Sequence, residues 1–500
     1  MSRTKNALKM VLTNIVSQLV VIIAGLILPP LIIKHYGSTV NGLVNSVKQI
    51  LNYFQVASVG MGAAAQVALY QPLARKDENR INQIISEMSS FFNKIGILFC
   101  GVVGIIAFAL PVIRNDGLPK TTIFLIVIIC ASGSIIEFSV LTKYKTLLTA
   151  DQRQYISTRV STEGTIINTV FSIILIYLNA SIIWVQLVAT FAYVIRMILL
   201  INKIKKLYPF LDLKYRSNQK TINNQKDALL YKLTDIIINY IPMTIVMLIC
   251  GYNDVSVYTV YNLVFSAIVM TVNIFSSGFA SAFGNQIAEN DYNALKSSYR
   301  GYNFVYRTIS YWLYTCSNIL IVPFVSVYIT NTDGVNYLIP SLGICFTLNG
   351  LFRSYRTPAI TIIDATGRFK ENLIFNYGEA ILNIVLSVIL TVKFGMIGVL
   401  IGGLVSALIR SILFIHMVDT KIIKRNFCID LFYIVINLAV SIFSYIMLND
   451  ISVNNYFEWF IKAVMVALIN GLAFVLLNIL IDKVGFKEFY KRLKGLLKIK

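Results

Sequence analysis

Lys48 stands in an apolar stretch with Asn45, Gln49, Asn52 and Gln55 spaced three and four residues apart, so on a helix these side chains form one polar stripe. An ammonium among amides can hold a phosphate or pyrophosphate as a mobile point charge, or reach along the helix to the lipid headgroups. The amides suit a hydroxyl-rich ligand such as a sugar, and they equally suit hydrogen bonds between helices. Asn14 and Gln18, in the first apolar stretch, and Asn262 and Asn273, in a later one, extend the set of candidate ligands. A second set is acidic. Glu137, Glu163, Glu379 and Asp235 fall in apolar stretches, where a carboxylate either carries a coupling proton or cation or is satisfied by a neighbouring helix. Asp235 follows Lys232 by three residues, a spacing at which the two can pair.

Apolar residues make up 57% of the 500 and only 13% are charged, with a mean hydropathy of +0.71. That much apolar surface does not fit inside soluble cores. Apolar runs of roughly 20 residues, enough to cross a bilayer, recur along the chain, and about fourteen are expected. The first, near residues 10 to 33, is long for a cleaved leader and reads as a retained helix. The fold class is therefore an all-α integral membrane protein.

The net charge of +21 is a matter of placement. Of the 44 Lys and Arg, only Lys34, Arg114, Lys120 and Lys393 fall on the side opposite the termini, and Lys48, Lys94, Arg196, Arg410 and Lys462 lie within spans. The others share the side of both termini, which the positive-inside rule makes cytoplasmic in a cytoplasmic (inner) membrane. This pattern matches anionic membrane lipids and argues against nucleic acid as a partner. Arg196 and Arg410, near the inner ends of their spans, read as side chains that extend toward the headgroups. The six cysteines occur singly, as small buried apolar residues would, and with only His35 and His416 no metal and no cofactor are expected.

The chain also repeats itself at a distance of about 215 residues: Arg153 falls on Arg368, Asn168 on Asn383, Ser172 on Ser387 and Arg196 on Arg410. Glu163 and Glu379 are near-equivalents, one residue out of register. The repeat predicts two pseudo-symmetric six-helix bundles, residues 1–202 and 229–417, in parallel because six is an even number of spans. A basic cytoplasmic linker, 203–228, joins them, and residues 418–500 add two helices and a basic tail. Helices 1, 2, 7 and 8 are expected to wall a central polar cavity. The loop residues Asp77 and Asp291, and the turns at Ala150 and Ala365, are expected to cap helices and tie segments together. The external loops are short, which argues against an enzyme acting at the outer face.

With two matched halves, two extra helices, Gly60-Met-Gly62 after the polar stripe and Ala365-Thr-Gly-Arg-Phe-Lys370 before the eleventh span, the chain resembles the Wzx polysaccharide flippases. These belong to the multidrug/oligosaccharidyl-lipid/polysaccharide exporter superfamily. The resemblance implies transport, without catalytic residues, of an undecaprenyl-pyrophosphate-linked oligosaccharide for O-antigen, lipopolysaccharide or capsule, by alternating access. It places Lys48 toward the pyrophosphate. A coupling proton or sodium and a polysaccharide polymerase are the further partners such a protein would draw on. Other readings are a multidrug exporter using Glu163 or Glu379, a membrane enzyme of glycan assembly, and a lipid-binding scaffold.

Overall fold

In hydrocarbon no water is present to satisfy a peptide group, so a membrane-spanning chain must close its hydrogen bonds within each segment, as a helix does. A computed structural model describes residues 3–212, 234, 237–288, 292–329, 334–365, 369–423 and 426–497. Among them every regular element is helical and no strand occurs. Eleven helices among the described residues are long and apolar enough to cross a membrane, and the chain is a multi-pass membrane protein.

In chain order the helices are α1 (Arg3–Tyr36), α2 (Ser38–Arg75), α3 (Glu78–Ile113), α4 (Lys120–Ile136), α5 (Thr142–Ala150), α6 (Gln154–Tyr177) and α7 (Ile182–Leu207). Beyond Tyr240 come α8 (Ile241–Ile249), α9 (Tyr252–Ala288), α10 (Tyr292–Tyr328), α11 (Pro340–Tyr355), α12 (Thr357–Ala365), α13 (Phe369–Phe394), α14 (Met396–Val418), α15 (Cys428–Leu448), α16 (Tyr456–Ile481) and α17 (Lys483–Leu497). A π-turn at Glu137–Leu141 joins α4 to α5, so one span runs from Lys120 to Ala150. The span expected over 336–357 instead breaks at Arg356. Pro358 has no N–H to continue α11, but it fits the first turn of a new helix, and α12 starts there.

The chain divides into two compact units, one reaching Ser256 and the other starting at Val257. In the first, α1 packs along α6, α6 on α7, and α4 between α3 and α7. Its core joins Phe92 of α3, Phe138 of the π-turn, Leu147 of α5 and Leu200 of α7. Phe92 and Phe138 meet edge to face at 5.1 Å. Asp77 caps α3, its carboxylate accepting from the Arg80 N–H at 3.0 Å, as the sequence suggested; Asp291 lies outside the described residues. The turn after α5 is tied down too: Asp151 pairs with Arg153 at 3.0 Å and accepts from Tyr208 OH at 2.6 Å. Burial, with the Asp151 carboxylate alongside, pushes the Tyr208 phenol above its usual range and keeps it a donor.

In the second unit α10 is the hub, touching α11, α15, α16 and α17. Phe265 stacks between Phe346 and Tyr314, with centroids 5.2 and 6.4 Å away. α13 and α14 pack so closely that a Cβ on Gly402 would enter the Ser387 backbone, the close approach small residues permit between membrane helices. Asn383 donates to Ser406 Oγ at 3.3 Å across this contact. Of the cysteines, Cys316 is buried as expected, but Cys100 and Cys428 are exposed, a correction to the uniformly buried reading.

Candidate functional site

The polar stripe of α2 lies within the first unit, with the side chain of Gln55 outside the described residues. α2 begins after Gly37, and its first turn lies against the backbone of α9. A Cβ on Gly42 would coincide with the Tyr252 carbonyl, so only glycine allows this approach. This contact puts one ridge of α2, residues 41, 45, 49 and 53, against residues 240–256. Asn41 Nδ2 donates to Ser256 Oγ at 2.7 Å, and Asn45 Nδ2 donates back to the Asn41 carbonyl at 2.9 Å. Gln49 Nε2 donates to the Tyr240 carbonyl at 3.0 Å, and Tyr53 OH reaches both that carbonyl at 3.2 Å and Thr244. The facing corner is itself fixed. Arg114 donates to the Cys250 carbonyl at 2.8 Å and pairs with Asp116 at 2.6 Å, and Asp116 accepts from the Tyr252 N–H at 2.7 Å.

Asn45 and Gln49 thus serve helix packing in this arrangement. Lys48 and Asn52, on the adjoining ridge, differ from them. Lys48 is exposed, lies within electrostatic reach of Cys130 on α4, and makes no hydrogen bond or ion pair with a described residue. Asn52 is half-buried. Asn14 and Gln18 are exposed on α1 among Leu12, Ile15, Val16 and Leu19, and Asn262 is exposed on α9. The side chain of Asn273 and the whole of Asp235, with Lys232, lie outside the described residues.

Each described acidic candidate has a cationic partner. Glu137, at the π-turn, holds Lys145, which reaches back from α5. Glu163 pairs with Arg159 one turn earlier on α6 at 2.8 Å. Glu379, only 1% exposed, binds Arg356 at 3.0 Å and Arg410 as well. Arg410 also donates to Asn372 Oδ1 at 3.0 Å. The sequence expectation that Arg196 and Arg410 extend to the headgroups is corrected here. Arg410 is buried on Glu379, and Arg196 folds over Gly164 to Thr165 Oγ1 at 3.0 Å, stacking on Tyr193 at 4.9 Å. In each case a hydrogen-bond acceptor on the neighbouring helix offsets the cost of leaving water.

Sequence reasoning missed the arginines that partner Glu379. Arg353 and Arg356 close an apolar span at i, i+3 spacing, and Arg353 lies within electrostatic reach of Glu379. That spacing opposite a lone intramembrane Glu was the available signal. It also missed Lys143, buried and donating to Ser89 Oγ at 2.9 Å, and the network around Asp482. Arg307 donates to Asp482 at 2.9 Å and to Asn478 at 3.0 Å, and its guanidinium stacks 3.9 Å above the Tyr433 ring. Chemically, the described part of the site offers one uncommitted cation, amides nearby, and carboxylates already neutralised. No cluster of His, Cys, Asp and Glu suited to a metal occurs among the described residues.

No protein-family model matches the chain, and no curated protein matches it by sequence. Solved structures do. The lipid II flippase MurJ in an inward closed conformation superposes with a TM-score of 0.69 at 14% identity, over 94% of this chain and 99% of that one. An inward-facing multidrug resistance MATE transporter of the MOP superfamily gives 0.62 at 13% identity, over 83% and 95%. A MOP superfamily transporter from Pyrococcus furiosus, whose binding pocket of reverse polarity is reported to suggest a different function, gives 0.57 at 12% identity, over 85% and 98%. The chain has the fold of these transporters.

Proposed function

We infer that this protein is a Wzx-type flippase. It carries an undecaprenyl-pyrophosphate-linked oligosaccharide across the cytoplasmic membrane by alternating access, as about fourteen spans in two six-helix repeats (1–202 and 229–417) plus two more helices, with both termini in the cytoplasm. The observation that carries the reading is the sign of the uncommitted charge: Lys48 is exposed with no described partner, whereas Glu137, Glu163 and Glu379 are all ion-paired. A cation among amides favours an anionic, sugar-bearing cargo. The fold likeness to a lipid II flippase over nearly the whole chain is consistent with a lipid-linked substrate. Asn52, Asn14, Gln18 and Asn262 are the amides left to meet the sugars. No bond is broken, so the protein needs no catalytic residue; a coupling ion and a polymerase partner remain part of the proposal.

A cation-coupled drug exporter is the second reading, favoured by the MATE likeness. It would need a carboxylate released from its partner during the cycle. The test is surface-glycan display in a deletion strain complemented with Lys48→Ala or Lys48→Arg. Display lost with Ala and kept with Arg supports the phosphate role; full display with Ala rejects it.

A further inference from the structure

Away from the α2 stripe, the first unit contains a cavity of about 530 Å³ at one end of α1, α6 and α7. Four cations line it: Lys9, Arg159, Lys203 and Lys206. Among the described residues no carboxylate lines it, and Ile156 and Leu207 form its apolar part. Arg159 is partly neutralised by Glu163 at 2.8 Å. Lys9 lies 5.4 Å over the Tyr155 ring, which holds its ammonium in place without cancelling its charge. Lys203 and Lys206 make no ion pair with a described residue. Like charges brought together by three separate helices repel one another, and the arrangement calls for an anion.

The surroundings specify which kind of anion. The cavity sits where the charge asymmetry puts the cytoplasmic headgroup layer. From it an exposed apolar surface continues along α1 through Leu12, Ile15 and Leu19 and along α6 through Ile166 and Val170. A soluble anion would use the cations and leave that surface unused, whereas a lipid would use both. Basic pockets between helices on this side of a membrane are suited to phosphate headgroups.

We propose that this cavity seats the phosphate headgroup of an anionic lipid of the inner leaflet, with the chain lying along α1 and α6. The site stands on charge and shape and does not depend on the transport reading. Its headgroup chemistry has two sources, an anionic phospholipid and a polyprenyl diphosphate, and the experiment separates them.

The full chain, purified in neutral detergent, is titrated by native mass spectrometry with cardiolipin, phosphatidylglycerol, undecaprenyl diphosphate, phosphatidylcholine and inorganic pyrophosphate. Wild type is expected to retain the anionic lipids over phosphatidylcholine, and the tightest of them identifies the source. Lys203→Glu with Lys206→Glu is expected to weaken that binding at least tenfold, and Lys203→Arg with Lys206→Arg to keep it. Should the double Glu variant lose its melting transition, Lys206→Gln alone gives the same reading, with about a fivefold loss. Equal affinity for phosphatidylcholine, unchanged binding in the charge variants, or pyrophosphate binding as tight as any lipid would each overturn the proposal.

Discussion

Glu379 and Arg410 form a buried ion pair between α13 and α14, and Arg356 occupies the other carboxylate oxygen at 3.0 Å. Their counterparts one repeat earlier do not meet: Glu163 pairs with Arg159 on its own helix, and Arg196 turns to Thr165. Two near-equivalent acidic positions therefore behave differently, one in an inter-helix charge clamp and the other in a surface pair.

Removing the carboxylate of Glu379 leaves two guanidiniums facing each other away from water. Glu379→Gln is expected to destabilise the protein by about 3–5 kcal/mol, the range for breaking a buried pair from one side. Thermal unfolding in nanodiscs measures it, and a melting temperature equal to wild type would show that the cluster is hydrated.

Glu163 is the control. Its pair is solvent-accessible, with Arg159 70% exposed, so Glu163→Gln is expected to change stability by only about 0–1 kcal/mol. If surface-glycan display nevertheless collapses in this variant while the fold persists, Glu163 takes part in coupling.

Arg307 is held by geometry as much as by charge. Its fork spans Asp482 and Asn478, and its plane covers Tyr433 at 3.9 Å. Arg307→Lys keeps the charge but neither the fork nor the stacking, so it is expected to lose stability, and Arg307→Ala, which leaves the buried Asp482 only the longer 3.6 Å pair with Arg300 and the Gly485 N–H, by about 3 kcal/mol. Limited proteolysis near α17 reports the difference. Equal resistance in Arg307→Lys and wild type would show that charge alone suffices.

Gly42 sets the approach of α2 to α9. Gly42→Ala is expected to cost about 1–3 kcal/mol, because the obstacle is the Tyr252 backbone and no rotamer can relieve it. Unfolding of the variant in detergent measures the loss, and a neutral result would mean that Gly42 and the Tyr252 backbone are farther apart than described.

Much of this fold could be read directly, because an apolar run of about 20 residues has few alternatives to a spanning helix. The π-turn at Glu137 and the break at Arg356 were harder to see. A single added residue in a turn leaves hydrophobic periodicity nearly unchanged, and Pro358 is as compatible with a kink as with a restart. In the site, periodicity groups Asn45, Lys48, Gln49 and Asn52 into one stripe of α2. It could not separate the ridge bound to Tyr240 and Ser256 from the one bearing Lys48, because that depends on which helix packs there. Arg356 was passed over because an arginine at a span's end reads as a topology signal, until a carboxylate from the next helix is found beside it.

The leaflet in which the lipid-linked glycan resides is the sharpest measure of the proposed transport. In a deletion strain, undecaprenyl-linked repeat units should accumulate facing the cytoplasm and surface glycan should disappear. Wild-type protein should restore both, and Lys48→Ala should restore neither. Normal outer-leaflet glycan in the deletion strain, with a change only in drug sensitivity, would contradict the claim.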